Sequence, residues 1–133
     1  MIGAQISLIT IVVPDYAAGL AFYVDVLGWD LREDILLGPR KRWVVVAPPD
    51  SQCAILLARA DGSDQQAAIG NQTGGRVGFF LQVAHFQATY QSMVAAGVTF
   101  EEAPRHESYG MVAVWQDPFG NRWDLLGPTP AGD

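Results

Sequence analysis

The chain has 133 residues, half of them hydrophobic, and fourteen acids against eight bases give a formal net charge of −6. This is the size of one ordinary domain, with enough apolar material to bury a core. The acidic balance excludes nucleic acid as a natural partner, because phosphates need a cationic surface, and a single cysteine excludes an internal disulfide.

The first apolar run, Ile6 to Val13, is far below the ~20 residues a bilayer crossing needs. No basic stretch precedes it as in a secretion signal, so a cytoplasmic protein with no membrane partner is expected. The run is rich in β-branched residues and predicts a strand, ended by Pro14-Asp15 with Asp15 placed to cap a helix. Tyr16, Leu20, Tyr23 and Leu27 then recur at helical spacing. Gly28 supplies a left-handed stop. Three strands follow, at about Trp29 to Glu33, Trp43 to Ala47 and Cys53 to Ala58, separated by Gly38-Pro39 and Pro48-Pro49-Asp50. The basic triplet Arg40-Lys41-Arg42 falls in the first of these turns and reads as a solvated corner. Cys53 reads as a small buried hydrophobe.

Ala60 to Gly75 is polar and glycine-rich, with a short helix expected at Ser63 to Ile69 and a flexible crossing at Gly70 to Gly75. The second half repeats the first. A strand at Arg76 to Val83 leads to a helix from about Phe86 to Ala96, with His85 in the place Asp15 holds and Gly97 as the stop. Strands at Val98 to Glu102, Met111 to Gln116 and Arg122 to Leu126 complete it. Val13 matches Val83 at a separation of 70, Gly28 matches Gly97 at 69 and Trp43 matches Met111 at 68. A β-α-β-β-β unit is therefore used twice within a single domain spanning 1–133: module 1 at about 5–60, a linker at 61–75 and module 2 at about 76–128. The expected fold class is α+β, a curved mixed sheet around a cavity with the helices outside. Concave apolar faces of that kind bind small molecules.

Three stretches carry a family resemblance: Val13-Pro-Asp-Tyr-Ala-Ala-Gly-Leu-Ala-Phe-Tyr-Val-Asp-Val-Leu-Gly28, Met93-Val-Ala-Ala-Gly-Val98 and Asp117-Pro-Phe-Gly-Asn-Arg-Trp-Asp-Leu-Leu126. They resemble the first-helix, second-helix and final-hairpin signatures of the vicinal oxygen chelate superfamily, which includes glyoxalases, bleomycin resistance proteins and extradiol dioxygenases. The resemblance implies paired modules, usually in a homodimer, whose cupped sheets enclose a cavity. It also implies His, Glu or Gln metal ligands on the first and last strands of each module in the metal-dependent members. Those positions fall on Leu8, Leu56, Gly78 and Asp124. One acid cannot hold a divalent transition metal, which needs three or more N, O or S donors. No cofactor is expected, and a metal least of all.

Period-two alternation places Thr10 with Leu8, Arg76, Phe80 and Gln82 with Gly78, and Arg122 with Asp124. If the ligand face is the cavity face, these residues line a pocket; the alternative is a structural ion pair of Asp124 with Arg122 or Arg76. Beside two arginines Asp124 is expected to be ionised, which suits binding a polar ligand better than proton shuttling. The run Arg105-His106-Glu107-Ser108-Tyr109-Gly110 is expected to be a loop near the cavity mouth. There His106, Glu107 and Tyr109 are further candidates for acid-base work with Asp124. Trp123 points to the core, whereas parity alone does not place Trp43 and Trp115. Facing inward, they would offer stacking surfaces to a planar guest.

No nucleophile elbow, phosphate-cradling loop or dinucleotide fingerprint occurs. The leading expectation is a metal-independent binder of a small aromatic or planar molecule, its negative charge suiting cationic guests. The ligand-binding candidates are Thr10, Trp43, Arg76, Phe80, Gln82, Tyr109, Trp115, Arg122 and Asp124. A lyase, isomerase or dioxygenase-like enzyme of the same superfamily and an accessory homodimer without a ligand are the alternatives.

Overall fold

The computed structural model describes residues 1–130. The chain is α+β and folds as two compact units, Met1–Ile69 and Gly70–Asp133, each with its own mixed sheet.

In the first unit, β1 (Leu8–Val13) leads into α1 (Tyr16–Leu20), which continues as a π-helical segment at Ala21–Val26. β2 (Asp30–Leu36), β3 (Arg42–Ala47), β4 (Ala54–Arg59) and α2 (Ser63–Ala68) follow. The sheet order is β1-β4-β3-β2, parallel only between β1 and β4. Asp15 caps α1 as its sequence position implies, accepting from the Ala18 N–H at 2.7 Å. Gly28 closes the helical stretch at φ +76°. The wider π turn, with the Leu27 N–H bonded to the Phe22 carbonyl at 2.9 Å, turns Phe22 as well as Tyr23 inward. The buried face therefore departs from the simple helical stripe, and Leu20 and Leu27 are only half-buried.

Successive strand side chains alternate between sheet faces. On one face Ile11, Val13, Val44, Val46 and Leu57 are fully buried. Gly19 of α1 lies so close that a Cβ there would sit 2.9 Å from Cδ1 of Leu57. The other face carries Leu8, Trp43 and Leu56 packed against Val45, Ala47 and Ala54. Cys53, expected inside β4, precedes it and is exposed. The ladder begins only at Ala54, whose N–H reaches the Ser7 carbonyl at 3.0 Å, while Ser51 Oγ ties off the Cys53 carbonyl at 2.6 Å.

In the second unit, β5 (Phe79–Gln82) is followed by α3 (Phe86–Ala95), β6 (Thr99–Phe100), β7 (Arg105–Glu107), β8 (Gly110–Gln116) and β9 (Arg122–Gly127). The order is β5-β9-β8-β6, with β7 also on β8. His85 precedes α3 without a side-chain cap bond, and Gly97 takes φ +90°. Phe80 pairs with Asp124 as Thr10 pairs with Leu56, which reproduces the 70- and 68-residue offsets. The middle strands depart from the expected match. Val45 faces Leu56 where Val114 faces Asp124, so Trp43 corresponds to Val112 and not to Met111. A one-residue slip exchanges the two faces of a strand.

The expected loop at Arg105 to Gly110 is a strand and a two-residue hairpin, with Glu107 paired to Gly110. The turn before β9 is closed by Asp117, which is buried. Its Oδ1 accepts from the N–H groups of Phe119 (3.0 Å) and Asn121 (2.9 Å), and its Oδ2 from Asn121 Nδ2 (2.7 Å). Gly120 sits at φ +103°, a conformation glycine adopts at little cost.

Candidate functional site

In the second unit the face opposite the buried tryptophans mixes apolar and charged residues. β9 presents Arg122, Asp124 and Leu126 there; β5 adds Phe80 and Gln82, β8 adds Val112, Val114 and Gln116, and β7 adds Arg105 and Glu107. At its centre Asp124 Oδ1 is buried and has no hydrogen-bond partner among the described residues. Phe80, paired with it across the ladder, is 61% exposed.

Of the two arginines expected beside Asp124, Arg76 is exposed ahead of β5 and Arg122 is engaged elsewhere. Arg122 grips Glu101 with both ends of its fork, Nε to Oε2 and Nη2 to Oε1, each at 2.8 Å, while its Nη1 donates to the Gly75 carbonyl at 2.9 Å. Glu101 also accepts from Gln116 Nε2 at 2.9 Å. Arg105 bonds Glu102 at 3.0 Å and Glu107 through Nη1. The bidentate geometry favours Glu101, which reaches Arg122 from beyond the end of β6. The structural ion pair of Asp124 with Arg122 is therefore replaced by Arg122–Glu101.

Burial, the largest influence, pushes the Asp124 carboxyl above its ordinary range; Arg105 and Arg122 pull it down, while Glu102 and Glu101 push it further up. The expectation that arginines would dominate is thus corrected, because their charge is already balanced by the glutamates. Glu101 moves the other way, held below its ordinary value chiefly by the Arg122 guanidinium.

Of the other acid-base candidates, Glu107 shares the Asp124 face and is bonded to Arg105. His106 points to the opposite face, with Nε2 3.1 Å from Thr129 Oγ1. Tyr109 is 65% exposed at the tip of the β7–β8 hairpin. Trp115 is fully buried on that opposite face, stacked on Trp123 with centroids 5.0 Å apart, and so stands outside the candidate site. Gln82 lies beside Phe80 on the site face at the end of β5, and Arg76 precedes that strand, its carbonyl accepting from Thr73 Oγ1 at 2.6 Å. A cavity of about 350 Å³, lined in part by His85, Phe86, Met111 and Thr129, belongs to the His106 side of the sheet.

In the first unit the corresponding face is apolar. Trp43 lies on it, its Nε1 donating to Glu33 Oε2 at 2.6 Å, with the half-exposed Ile35 opposite and the exposed Thr10 beside Leu56. Glu33, Glu101 and Glu102 were not singled out from the sequence. The acidic pair at the end of β6 was the available signal, but its partners lie on other strands.

Residues 5–125 match the Glyoxalase/Bleomycin resistance protein/Dioxygenase superfamily. The chain belongs to that superfamily. An uncharacterised protein of Shewanella frigidimarina (strain NCIMB 400) is 47% identical to it over 120 residues, 89% of each chain. The crystal structure of UcmS2 matches with a TM-score of 0.81 at 32% identity, covering 92% of this chain and 97% of that one. The structure of TnmS3, an antibiotic binding protein from Streptomyces sp. CB03234, matches with a TM-score of 0.78 at 25% identity, covering 97% and 99%.

The metal chemistry found in parts of this superfamily does not fit the residues here. At the four positions where the resemblance places ligands, Leu8 and Leu56 belong to an apolar cluster. At Gly78 any Cβ would collide with Cγ2 of Thr73, so the linker has filled the space a ligand side chain would need. Only Asp124 offers a donor atom, and among the described residues no three of His, Cys, Asp or Glu come together as a metal-binding group. None of the described helices is long and apolar enough to cross a membrane.

Proposed function

We propose that the protein is a cytoplasmic homodimer that binds a small planar or aromatic molecule without a metal. The observation that carries this reading is the pairing of an exposed aromatic ring, Phe80, with the buried, unpartnered Oδ1 of Asp124. An apolar stacking surface beside one oriented polar atom is what a planar guest with a single polar group requires. The likeness to an antibiotic binding protein supports it, as does the donor-poor set Leu8, Leu56 and Gly78. For the dimer, the support is the outer strand β2 with the neighbouring Leu37, where Leu31, Ile35, Leu36 and Leu37 are all exposed and suit cover by a second copy.

Titration with a panel of aromatic antibiotics and catechols, followed by amide shifts, tests the reading. Saturable binding with shifts at Phe80 and Asp124 is expected; silence across the panel overturns it. Elemental analysis of the purified protein is expected to find no stoichiometric metal, and one tightly held transition metal per chain defeats the metal-free reading. Sedimentation at micromolar concentration is expected to give a dimer, and a monomer would remove that part.

A second reading, a lyase or isomerase in which Asp124 takes up a proton, is favoured by the upward displacement of its pKa. Turnover of a bound compound by the wild type and its loss in Asp124→Asn, with binding retained, would replace the first reading by this one.

A further inference from the structure

We infer that the ligand meets Asp124 with a protonated amine and that the site discriminates against carboxylates. This rests on the small-molecule reading above and specifies its chemistry. On the β9 face Arg105 and Arg122 stand against Glu101, Glu102, Glu107 and Asp124, two more acids than bases, while Arg76, exposed ahead of β5, enters none of these pairs. All three nitrogens of Arg122 and two of Arg105 are already engaged. Arg122 spends Nε and Nη2 on Glu101 and Nη1 on Gly75, and Arg105 spends Nε on Glu102 and Nη1 on Glu107.

An incoming carboxylate would have to displace Glu101 from its bidentate pair with Arg122 or compete with Glu102 and Glu107 for Arg105, and it would then lie beside Asp124. Like charges brought together in a partly dehydrated place repel strongly. Asp124 Oδ1, by contrast, is an acceptor without a donor among the described residues, and a buried acceptor gains most from a charged donor, since charge-assisted bonds are about twice as strong as neutral ones. Phe80 lies directly across the ladder and gives an aromatic body a surface on which a cation also rests favourably.

Three probes sharing one ring system separate the possibilities: 2-naphthylmethylammonium, 2-naphthol and 2-naphthoate, titrated calorimetrically into the intact protein at pH 7 and low salt. The ammonium is expected to bind about tenfold or more tighter than the naphthoate, with the naphthol between, because a desolvated charge pair discriminates on that scale. In Asp124→Asn the preference is expected to fall to about threefold or less while naphthol binding persists. Phe80→Ala is expected to weaken all three, the ammonium most, because only it also loses the attraction of a cation to the ring.

Equal binding of ammonium and naphthoate, or a preference that survives in Asp124→Asn, overturns this inference and leaves the small-molecule reading standing. No binding of any of the three probes defeats both. Circular dichroism melts of each variant confirm that it is folded.

Discussion

A buried carboxylate oxygen without a partner lowers stability, and its removal is expected to stabilise the fold. Asp124→Leu tests this. Leaving a buried acceptor unsatisfied costs about 1–3 kcal/mol. The attraction of Arg105 and Arg122 offsets part of that cost, opposed by Glu101 and Glu102. Leucine fits the same strand position between Val114 and Leu126 and adds apolar contact. The net gain expected at pH 7 is about 1–2 kcal/mol.

The pH dependence has a definite sign. The Asp124 carboxyl lies above its ordinary 3.8 in the folded chain, so between 3.8 and the folded value the native state holds a proton that the unfolded state has lost. Wild-type stability therefore falls as pH rises through that window. The advantage of the leucine variant is full above the folded value and shrinks as pH falls toward 3.8. Urea unfolding followed by tryptophan fluorescence at pH 7 and pH 4 measures both quantities. A variant less stable than wild type by about 1 kcal/mol at pH 7, the size of one lost partnered hydrogen bond, would show that Asp124 is a structural carboxylate and refute the reasoning.

Asp117→Ala removes the acceptor for two backbone N–H groups and the Asn121 amide. It is expected to cost about 3 kcal/mol or more in urea unfolding, since stranded buried donors are expensive; a loss under about 1 kcal/mol would contradict that account. Glu101→Gln leaves Arg122 without its ionised partner. With both side chains about a third exposed or less, a loss of about 0.5 kcal/mol at low salt is expected, shrinking as salt is added. Because the Glu101 pKa is lowered, its contribution is present above its ordinary 4.5 and is lost as pH falls through the folded value, so the two proteins should converge in acid. Gly78→Ala is expected to cost about 1–3 kcal/mol through its collision with Thr73, with Thr73→Gly recovering much of it in the double variant. Additive losses in that double-mutant cycle would show that the two positions do not compete for one space.

Much of the chain was legible locally. Asp15 caps its helix, Gly28 and Gly97 stop theirs, and Asp117 to Asn121 closes its turn, because each of these devices is built from groups a few residues apart. The repeat was legible for the same reason, in β1 and β4 against β5 and β9. The π-helical turn was not, since an extra residue in one turn leaves no periodic trace, and Leu20 therefore looked as buried as Phe22 proved to be.

What the order of residues determined by itself was most of the elements, the twofold use of one unit, and side chains without metal-binding atoms at Leu8, Leu56 and Gly78. Tertiary structure alone decided the chemistry of the remaining acid. Alternation states which residues share a face within one strand, but only the pairing register between strands put Trp43 on the face of the first unit that corresponds to the Asp124 face of the second, and Trp115 in the core. Only the meeting of residues distant in the chain gave Arg122 to Glu101, while Arg105 takes its near neighbours Glu102 and Glu107, and among the described residues Asp124 Oδ1 is left without a donor. Ion pairing depends on which charges arrive at hydrogen-bonding distance, and that follows from the register of the sheet.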